Sequence, residues 1–197
     1  MNYNEEMKKI INTFNGKKKI LLHSCCGPCS SSVIERLREY FDITVLYYNP
    51  NIEPYEEYLK RKNEQIRLLK EVEISYLDID YLNDEYHNKI KGYESEPENG
   101  ARCPLCYELR MEKTAYLAKE KKFDFFGTTL TVSPHKPSKI INEIGIKLEQ
   151  KHTIRFLLSD FKKEDGYKRS IELSKEYELY RQDYCGCLYS RRNNNEE

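Results

Sequence analysis

Apolar positions near the start of the chain change period twice. Met7, Ile10, Ile11 and Phe14 recur at helical spacing, and Asn15-Gly16 closes a predicted helix over residues 1–16. Ile20-Leu21-Leu22-His23 is instead a short continuous apolar run, the pattern of a buried strand. The small-residue turn Ser24-Cys25-Cys26-Gly27-Pro28-Cys29 then feeds a predicted helix bearing Val33, Ile34, Leu37 and Tyr40. A second strand reads from Ile43 to Tyr48 and stops at the loop signal Asn49-Pro50-Asn51. Strand, loop, helix and strand together seed a parallel sheet. Ligands of such sheets sit beyond the carboxyl ends of the strands. The cysteine turn and Asn49-Pro50-Asn51 both fall at such ends, so they are expected to be neighbours.

The pattern continues with a charged helix over 54–71, a third strand at Glu73–Leu77 and a polar stretch, Tyr81–Gly100, ending in the loop Glu96-Pro97-Glu98-Asn99-Gly100. That loop opens onto Cys103-Pro104-Leu105-Cys106, after which a helix is predicted from Tyr107 to about Lys121. Phe123–Thr131 reads as another buried strand, closed by Val132-Ser133-Pro134-His135-Lys136-Pro137. A helix over 138–150, an irregular stretch around Phe156-Leu157-Leu158 and Asp160-Phe161, and a helix over 167–180 follow. No repeat or linker interrupts the pattern. The expected organisation is an N-terminal helix (1–16), one α/β domain (17–192) and a disordered tail (193–197).

Composition narrows the function classes. A chain of 197 residues with 39% hydrophobic and 12% aromatic residues can bury a real core, unlike a disordered chain. No apolar run approaches the roughly 20 residues of a membrane span. The first residues mix acids with lysines and lack an apolar stretch, so no secretory signal is read there. A soluble, cytoplasmic protein is expected. The 33 basic residues balance 33 acidic ones, which argues against indiscriminate binding to nucleic-acid backbone while leaving room for a local basic patch.

Seven cysteines are the main chemical signal. The cytosol keeps thiols reduced, and an odd count leaves one out of any full pairing. They fall in three groups: Cys25, Cys26 and Cys29; Cys103 and Cys106; Cys185 and Cys187. Each group reads as a loop at an element boundary, bracketed by Gly or Pro. A lone cysteine is often a small buried hydrophobe, but this arrangement favours metal ligation. Cys-x-x-Cys pairs serve both structural zinc and iron–sulfur clusters. Either closed site takes four ligands, so a cluster plus a second, open-sided metal with three thiolates accounts for all seven. Adjacent Cys25 and Cys26 do not readily chelate one iron but can bridge two centres. A rival reading is a thioredoxin-like dithiol at Cys26-Gly27-Pro28-Cys29. Cys25 stands before it where thioredoxins usually carry Trp, and five further cysteines would have no role.

Polar and aromatic residues flank the cysteines. Arg102 and Arg110 bracket the central pair, Arg181 and Gln182 precede the last pair, and Arg191 and Arg192 follow it. His135 and Lys136 lie at another strand end, as do Asn49 and Asn51. Taken singly, the charged ones read as solvated surface charges. Together with Tyr48, Tyr107 and Tyr184 they suit a cationic, aromatic-edged pocket for phosphate contacts and a splayed-out base. His23, two residues before Cys25, reads equally as a hydrogen-bonded core histidine or as a proton donor. Glu57 and Arg61 form an i,i+4 pair expected to be a structural brace.

These segments assemble into a family pattern. His23-x-Cys25-Cys26-Gly-Pro-Cys29, Tyr48-Asn49-Pro50-Asn51-Ile52 with Glu57-Tyr58 and Arg61, and Arg102-Cys103-x-x-Cys106 with Leu109-Arg110 resemble the QueH epoxyqueuosine reductases. So do Thr131-Val132-Ser133-Pro134-His135-Lys136, Asp160-Phe161-Lys162-Lys163-x-x-Gly166-Tyr167 and, most specifically, Tyr180-Arg181-Gln182-x-Tyr184-Cys185-Gly186-Cys187 with Ser190. The likeness covers about residues 17–192. It implies reductive loss of the epoxide oxygen of epoxyqueuosine at the wobble position of tRNA, the last step of queuosine synthesis. A 4Fe–4S cluster and an adjacent mononuclear iron are implied with it. Some members carry Asp where this chain has Cys29, so the second site here would be all-thiolate.

Breaking two C–O bonds takes two electrons and two protons. The resemblance therefore also implies an external low-potential donor such as ferredoxin, with His23, Tyr184 or water supplying protons. The fold it implies is a Rossmann-like, nucleotide alpha-hydrolase-like parallel sheet with flanking helices and a cysteine-rich metal site at the strand ends. An ATP-dependent tRNA thiolase of that fold would need a Ser-Gly-Gly-x-Asp-Ser phosphate loop where this chain has Cys-Cys-Gly-Pro-Cys-Ser. A zinc-stabilised RNA-binding module is the non-enzymatic alternative.

Overall fold

The computed structural model describes residues 1–191, so Arg192 and the expected tail lie outside the described residues. Five strands, β1 (Lys18–His23), β2 (Phe41–Leu46), β3 (Ser75–Leu77), β4 (Phe125–Thr128) and β5 (Arg155–Phe156), form one sheet in the order β3-β2-β1-β4-β5. Every pairing is parallel, with Ile20 opposite both Ile43 and Phe125 in the central register. Side chains of a strand alternate between faces, and β1 uses both. Ile20 and Leu22 pack with Met7 and Ile11 of α1 (Tyr3–Asn12), Val33 and Leu37 of α2 (Gly27–Leu37), and Leu69 of α3 (Tyr55–Glu71). Leu21 enters a second core with Met111 and Ala115 of α5 (Arg102–Glu120) and Ile141 and Leu148 of α6 (Ser138–His152). A sheet apolar on both faces accounts for the continuous runs of the sequence. The first helix is therefore part of the main core, with Met7 1% exposed.

Three differences from the expected elements bear on the site. The α5 helix begins at Arg102 rather than Tyr107, because Pro104 falls in its first turn, where proline removes no needed donor. Cys103 and Cys106 are thus helical residues one turn apart, and Cys29 likewise sits in the first turn of α2. The polar stretch contains a short helix, α4 (Asn83–Ile90), whose buried face is only Tyr86 and Ile90. The last helix, α7 (Gly166–Glu176), ends before Tyr177, leaving a longer approach to Cys185. The smaller misses are Tyr40, exposed beyond the end of α2, and the two-residue β5 within the stretch read as irregular.

Candidate metal centre

The β1 strand ends at His23, and the chain turns there into the first thiol group. Sγ atoms of Cys25, Cys26 and Cys29 all lie within 4.8 Å of one another, and those of Cys25 and Cys26 are 3.8 Å apart. The turn is tied to the end of β2 as expected: Asn49 Nδ2 donates to Ser24 O (2.8 Å) and the His23 ring meets Tyr48 O (3.1 Å). All seven cysteines are free thiols.

The other four thiols lie on α5 and on the segment after α7, near enough for charge on Cys185, Cys187 and Cys103 to act on Cys106, although among the described residues only the trio brings three ligand atoms within 4.8 Å. Cys106 and Cys187 are packed with Tyr86 and Ile90 of α4. Burial pushes the Cys106 thiol up to about 12, Arg110 opposes the rise, and Cys185, Cys187 and Cys103 add to it. Four thiols so placed do not ionise together unless a cation joins them. In the first group, hydrogen bonds from Cys26 and Cys29 hold Cys25 well below the ordinary thiol range, helped by Lys136 and Arg110. Hydrogen bonding to Cys25, with burial and the charge of Cys25 added, pushes Cys26 up to about 12, and hydrogen bonds to Cys25 and Cys26 raise Cys29.

The Cys185–Cys187 loop is seated by Arg61. This residue is 2% exposed; its Nε pairs with Glu57 at 2.6 Å, while Nη1 and Nη2 donate to the carbonyls of Cys185 and Tyr184, both at 3.2 Å. The expected brace is present, and it also reaches across to the last cysteines. Gly186 O accepts from Glu53 N (2.9 Å), and the φ of Gly186 is +132°. A Cβ there would lie 2.9 Å from Ile52 Cγ1 and 3.3 Å from Arg61 Nη1, so glycine is required by both conformation and space.

Between the two thiol groups opens a cavity of about 360 Å³, lined by Cys25, Cys29 and Cys185. Arg110, His135, Lys136, Arg181, Gln182 and Tyr184 of the expected site also line it. Gln182 Nε2 donates to Cys26 Sγ at 3.0 Å. Lys136 faces the thiols; burial opposes its charge, but Cys185, Cys25 and Cys29 outweigh burial and raise its pKa.

The remaining expected residues do not line the cavity. Tyr48 is buried with its hydroxyl on Glu85, Asn49 holds Ser24, and buried Asn51 packs by Gly186. Arg102 donates to Glu94 O (2.9 Å) and to Glu96 O, which fixes the loop before α5. Both expected proton donors are engaged within the chain. His23 is fully buried, with Nδ1 3.0 Å from Thr128 Oγ1 and Nε2 3.1 Å from Tyr48 O. A carbonyl only accepts, so Nε2 carries the hydrogen and Nδ1 accepts from the threonine. Burial, then Arg110, lowers its pKa to about 3. The Tyr184 hydroxyl donates to Glu53 O at 2.6 Å.

Sequence reasoning did not single out Asn99, whose backbone N–H reaches Cys103 Sγ (3.3 Å), or Glu98 and Asp183 on the cavity wall, and it quoted Tyr167, also on that wall, only within a family segment. The only local signal was the dipeptide Asn99-Gly100, which marks a turn, and φ of Asn99 is +66°.

The residues fit a multi-thiolate metal group. The Tyr86 hydroxyl is buried beside Cys106 and Cys187, with the Cys187 sulfur as its partner, and Arg110 Nη2, one helical turn from Cys106, has no hydrogen-bond partner among the described residues. Thiolate or sulfide sulfur is an acceptor of the kind both can use.

Residues 20–193 match the family model described as epoxyqueuosine reductase QueH. The chain belongs to the QueH family. QueH relatives include the epoxyqueuosine reductase of Streptococcus pyogenes serotype M1, 42% identical over 94% of this chain and 75% of its own length. That of Acinetobacter baylyi is 42% identical over 90% of this chain and 82% of its own, and that of Thermotoga maritima 33% over 87% and 89%. Among solved structures, the U34-tRNA thiolase NcsA from Methanococcus maripaludis, with its [4Fe-4S] cluster, superposes with a TM-score of 0.60. It is 15% identical, over 95% of this chain and 68% of NcsA. That likeness is one of fold, and it agrees with the expected nucleotide alpha-hydrolase-like sheet. No helix among the described residues is long and apolar enough to cross a membrane.

Proposed function

We propose that this QueH-family chain is an epoxyqueuosine reductase. It would remove the epoxide oxygen from epoxyqueuosine at the wobble position of tRNA in the cytoplasm, the last step of queuosine synthesis. The conversion consumes two electrons and two protons, leaves an alkene and releases water. Cys103, Cys106, Cys185 and Cys187 would hold a 4Fe–4S cluster, and Cys25, Cys26 and Cys29 a mononuclear iron. The observation that supports this division is the tight trio of free thiols at the end of β1, set apart from Cys106 and Cys187, which pack together beside α4, with Cys25, Cys29 and Cys185 facing one cavity. When bound, the cluster supplies single electrons and the second metal a Lewis acid for oxygen. An external low-potential donor such as ferredoxin supplies the electrons from outside.

The chain's own residues do the positioning. A cavity of about 360 Å³ is small-ligand sized, so it accepts one modified base rather than a helical stem. Exposed His135 and Arg181 on the wall suit phosphate contacts. Lys136 Nζ keeps its charge and offers N–H donors to the departing oxygen. With His23 and Tyr184 bonded internally, protons reach the product through water entering the cavity. Gln182 and Arg61 keep the last cysteine loop against the first.

Iron, sulfide and zinc content of anaerobically purified protein, followed by conversion of epoxyqueuosine-bearing tRNA with a chemical reductant, tests this reading. About five irons and four sulfides per chain are expected for a cluster plus one iron. Zinc without sulfide in protein never exposed to oxygen would replace it with an RNA-binding zinc module.

A further inference from the structure

Arg110 is an unusual buried cation. It is 1% exposed, its Nε donates only to Cys106 O one helical turn back (3.2 Å), and its Nη2 has no partner among the described residues. A guanidinium buried without an anionic partner is costly. Elsewhere the buried Arg61 has its glutamate, whereas Arg110 makes no ion pair with a carboxylate among the described residues and bonds only to Cys106 O. Burial opposes its charge, and the groups that outweigh burial are Cys106, Cys185 and Cys25, then Tyr107. Those three cysteines belong to both thiol groups, and Arg110 lines the cavity between them together with Cys25, Cys29 and Cys185.

We propose that Arg110 is the counter-ion of the metal centre, a positioning residue whose buried charge between the two thiol groups sets the reduction potential of the four-thiolate cluster. This inference rests on the reading that Cys103, Cys106, Cys185 and Cys187 hold such a cluster. A cluster held by four thiolates is net negative and becomes more so on reduction. A fixed positive charge beside it stabilises the reduced state more than the oxidised one. Arginine is suited to the task because it stays charged when buried and presents several N–H donors, one of them free here for sulfur.

The test is a redox titration of anaerobically prepared protein followed by EPR and visible absorption, with iron and sulfide counted first. Wild-type protein lacking sulfide would overturn the cluster reading itself, independently of Arg110, and the inference with it. In loaded protein, Arg110→Met is expected to lower the reduced-to-oxidised ratio at a fixed donor potential about tenfold. That corresponds to about 59 mV for a one-electron couple. Arg110→Lys, which keeps the charge, stays close to the wild-type potential. A wild-type potential in fully loaded Arg110→Met refutes the proposal. If Arg110→Met does not load, Arg110→Gln is read in its place. Failure of both neutral variants to load, with Arg110→Lys loaded, supports a required charge. Failure of all three shows that the shape of the side chain matters and its charge does not, and overturns the proposal.

Discussion

Replacing Arg61 by Met is the sharpest probe of how the last cysteines are held. The guanidinium makes one ion pair with Glu57 and two hydrogen bonds to the carbonyls of Tyr184 and Cys185. Methionine keeps most of the apolar volume, so the loss is polar. Removing one partner of a buried pair leaves an uncompensated charge and costs about 3–5 kcal/mol. Glu57 is 13% exposed and still accepts from the Tyr180 hydroxyl at 3.2 Å, which places the expected loss at the low end, about 3 kcal/mol. For a chain of this size that is about 6–12 °C in Tm, at roughly 2–4 °C per kcal/mol. Urea unfolding at constant pH, with the slope checked for constancy, gives the number directly. The double variant Glu57→Gln with Arg61→Met should recover about 1 kcal/mol or more of the loss, because the stranded charge is gone. A loss below about 1 kcal/mol in Arg61→Met, or simple additivity in the double variant, would refute the claim that this pair is what seats the loop.

Other substitutions separate site from scaffold. Gly186→Ala places a Cβ 2.9 Å from Ile52 Cγ1 at a φ of +132°. It should cost about 2 kcal/mol in urea unfolding and lower iron content; unchanged iron would sever the glycine from the flanking cysteines. Gly145→Ala puts a Cβ 2.2 Å from Phe156 Cε1. Overpacking of about 1–3 kcal/mol then exceeds the helix-propensity gain of about 1 kcal/mol, while iron content stays at the wild-type level. Glu64 is held below the ordinary carboxylate range by Arg67 and then by the backbone N–H of Tyr180. Its contribution is present above that range and lost as pH falls through its folded pKa. Glu64→Gln should therefore cost about 1 kcal/mol or less at pH 7, with the gap from wild type closing in acid; a gap that widens in acid would contradict the assignment.

The fold was readable where one rule governed a long segment. The apolar runs at Ile20–His23 and Ile43–Leu46 are strands because both faces of the sheet are covered, and a run buried on both sides leaves no ambiguity of register with solvent. The α4 helix was missed for the opposite reason: only Tyr86 and Ile90 of its eight residues are buried, too few to show a period. The start of α5 was misplaced because Cys-Pro-Leu-Cys reads as a loop, although proline in a first turn is harmless. The spacing of the cysteines was visible in the chain, and it pointed to metal ligation. Counting alone suggested four ligands for a cluster and three for a second metal. Which thiols lie together could not be read, because it depends on which loops the fold brings to one place, and only the Cys25, Cys26 and Cys29 trio is tight among the described residues. Tyr48 and Asn49, read as pocket residues, bond within the chain, and His23 follows the core-histidine side of its two readings. Polar residues beside a metal motif attract a functional reading, yet in the structure they satisfy one another's buried polar groups.

The segment from Tyr177 to Arg191 has one short 3-10 turn (Leu188–Ser190) and buries few apolar side chains, Leu179 and Cys187 among them. It is held instead by polar contacts to α3 and to the residues before it: Glu64 with Tyr180 N, Arg61 with two carbonyls, Glu53 with Gly186 O and with the Tyr184 hydroxyl. Few buried apolar contacts mean low local stability. The trio, by contrast, sits just after β1 and in the first turn of α2, with Cys25 and Cys26 inside the second core and Cys29 packed against both cores. Ligand binding to the other four cysteines should therefore be coupled to seating of this segment, since a metal that binds only the seated form stabilises it. Chelator-treated protein alkylated under anaerobic conditions and read by mass spectrometry is expected to label Cys185 and Cys187 well ahead of Cys26, with labelling of the first two suppressed once iron and sulfide are restored. Equal labelling of Cys26, Cys185 and Cys187 in metal-free protein would mean that the segment is seated without its metal, and that the polar clamp alone is sufficient to hold it.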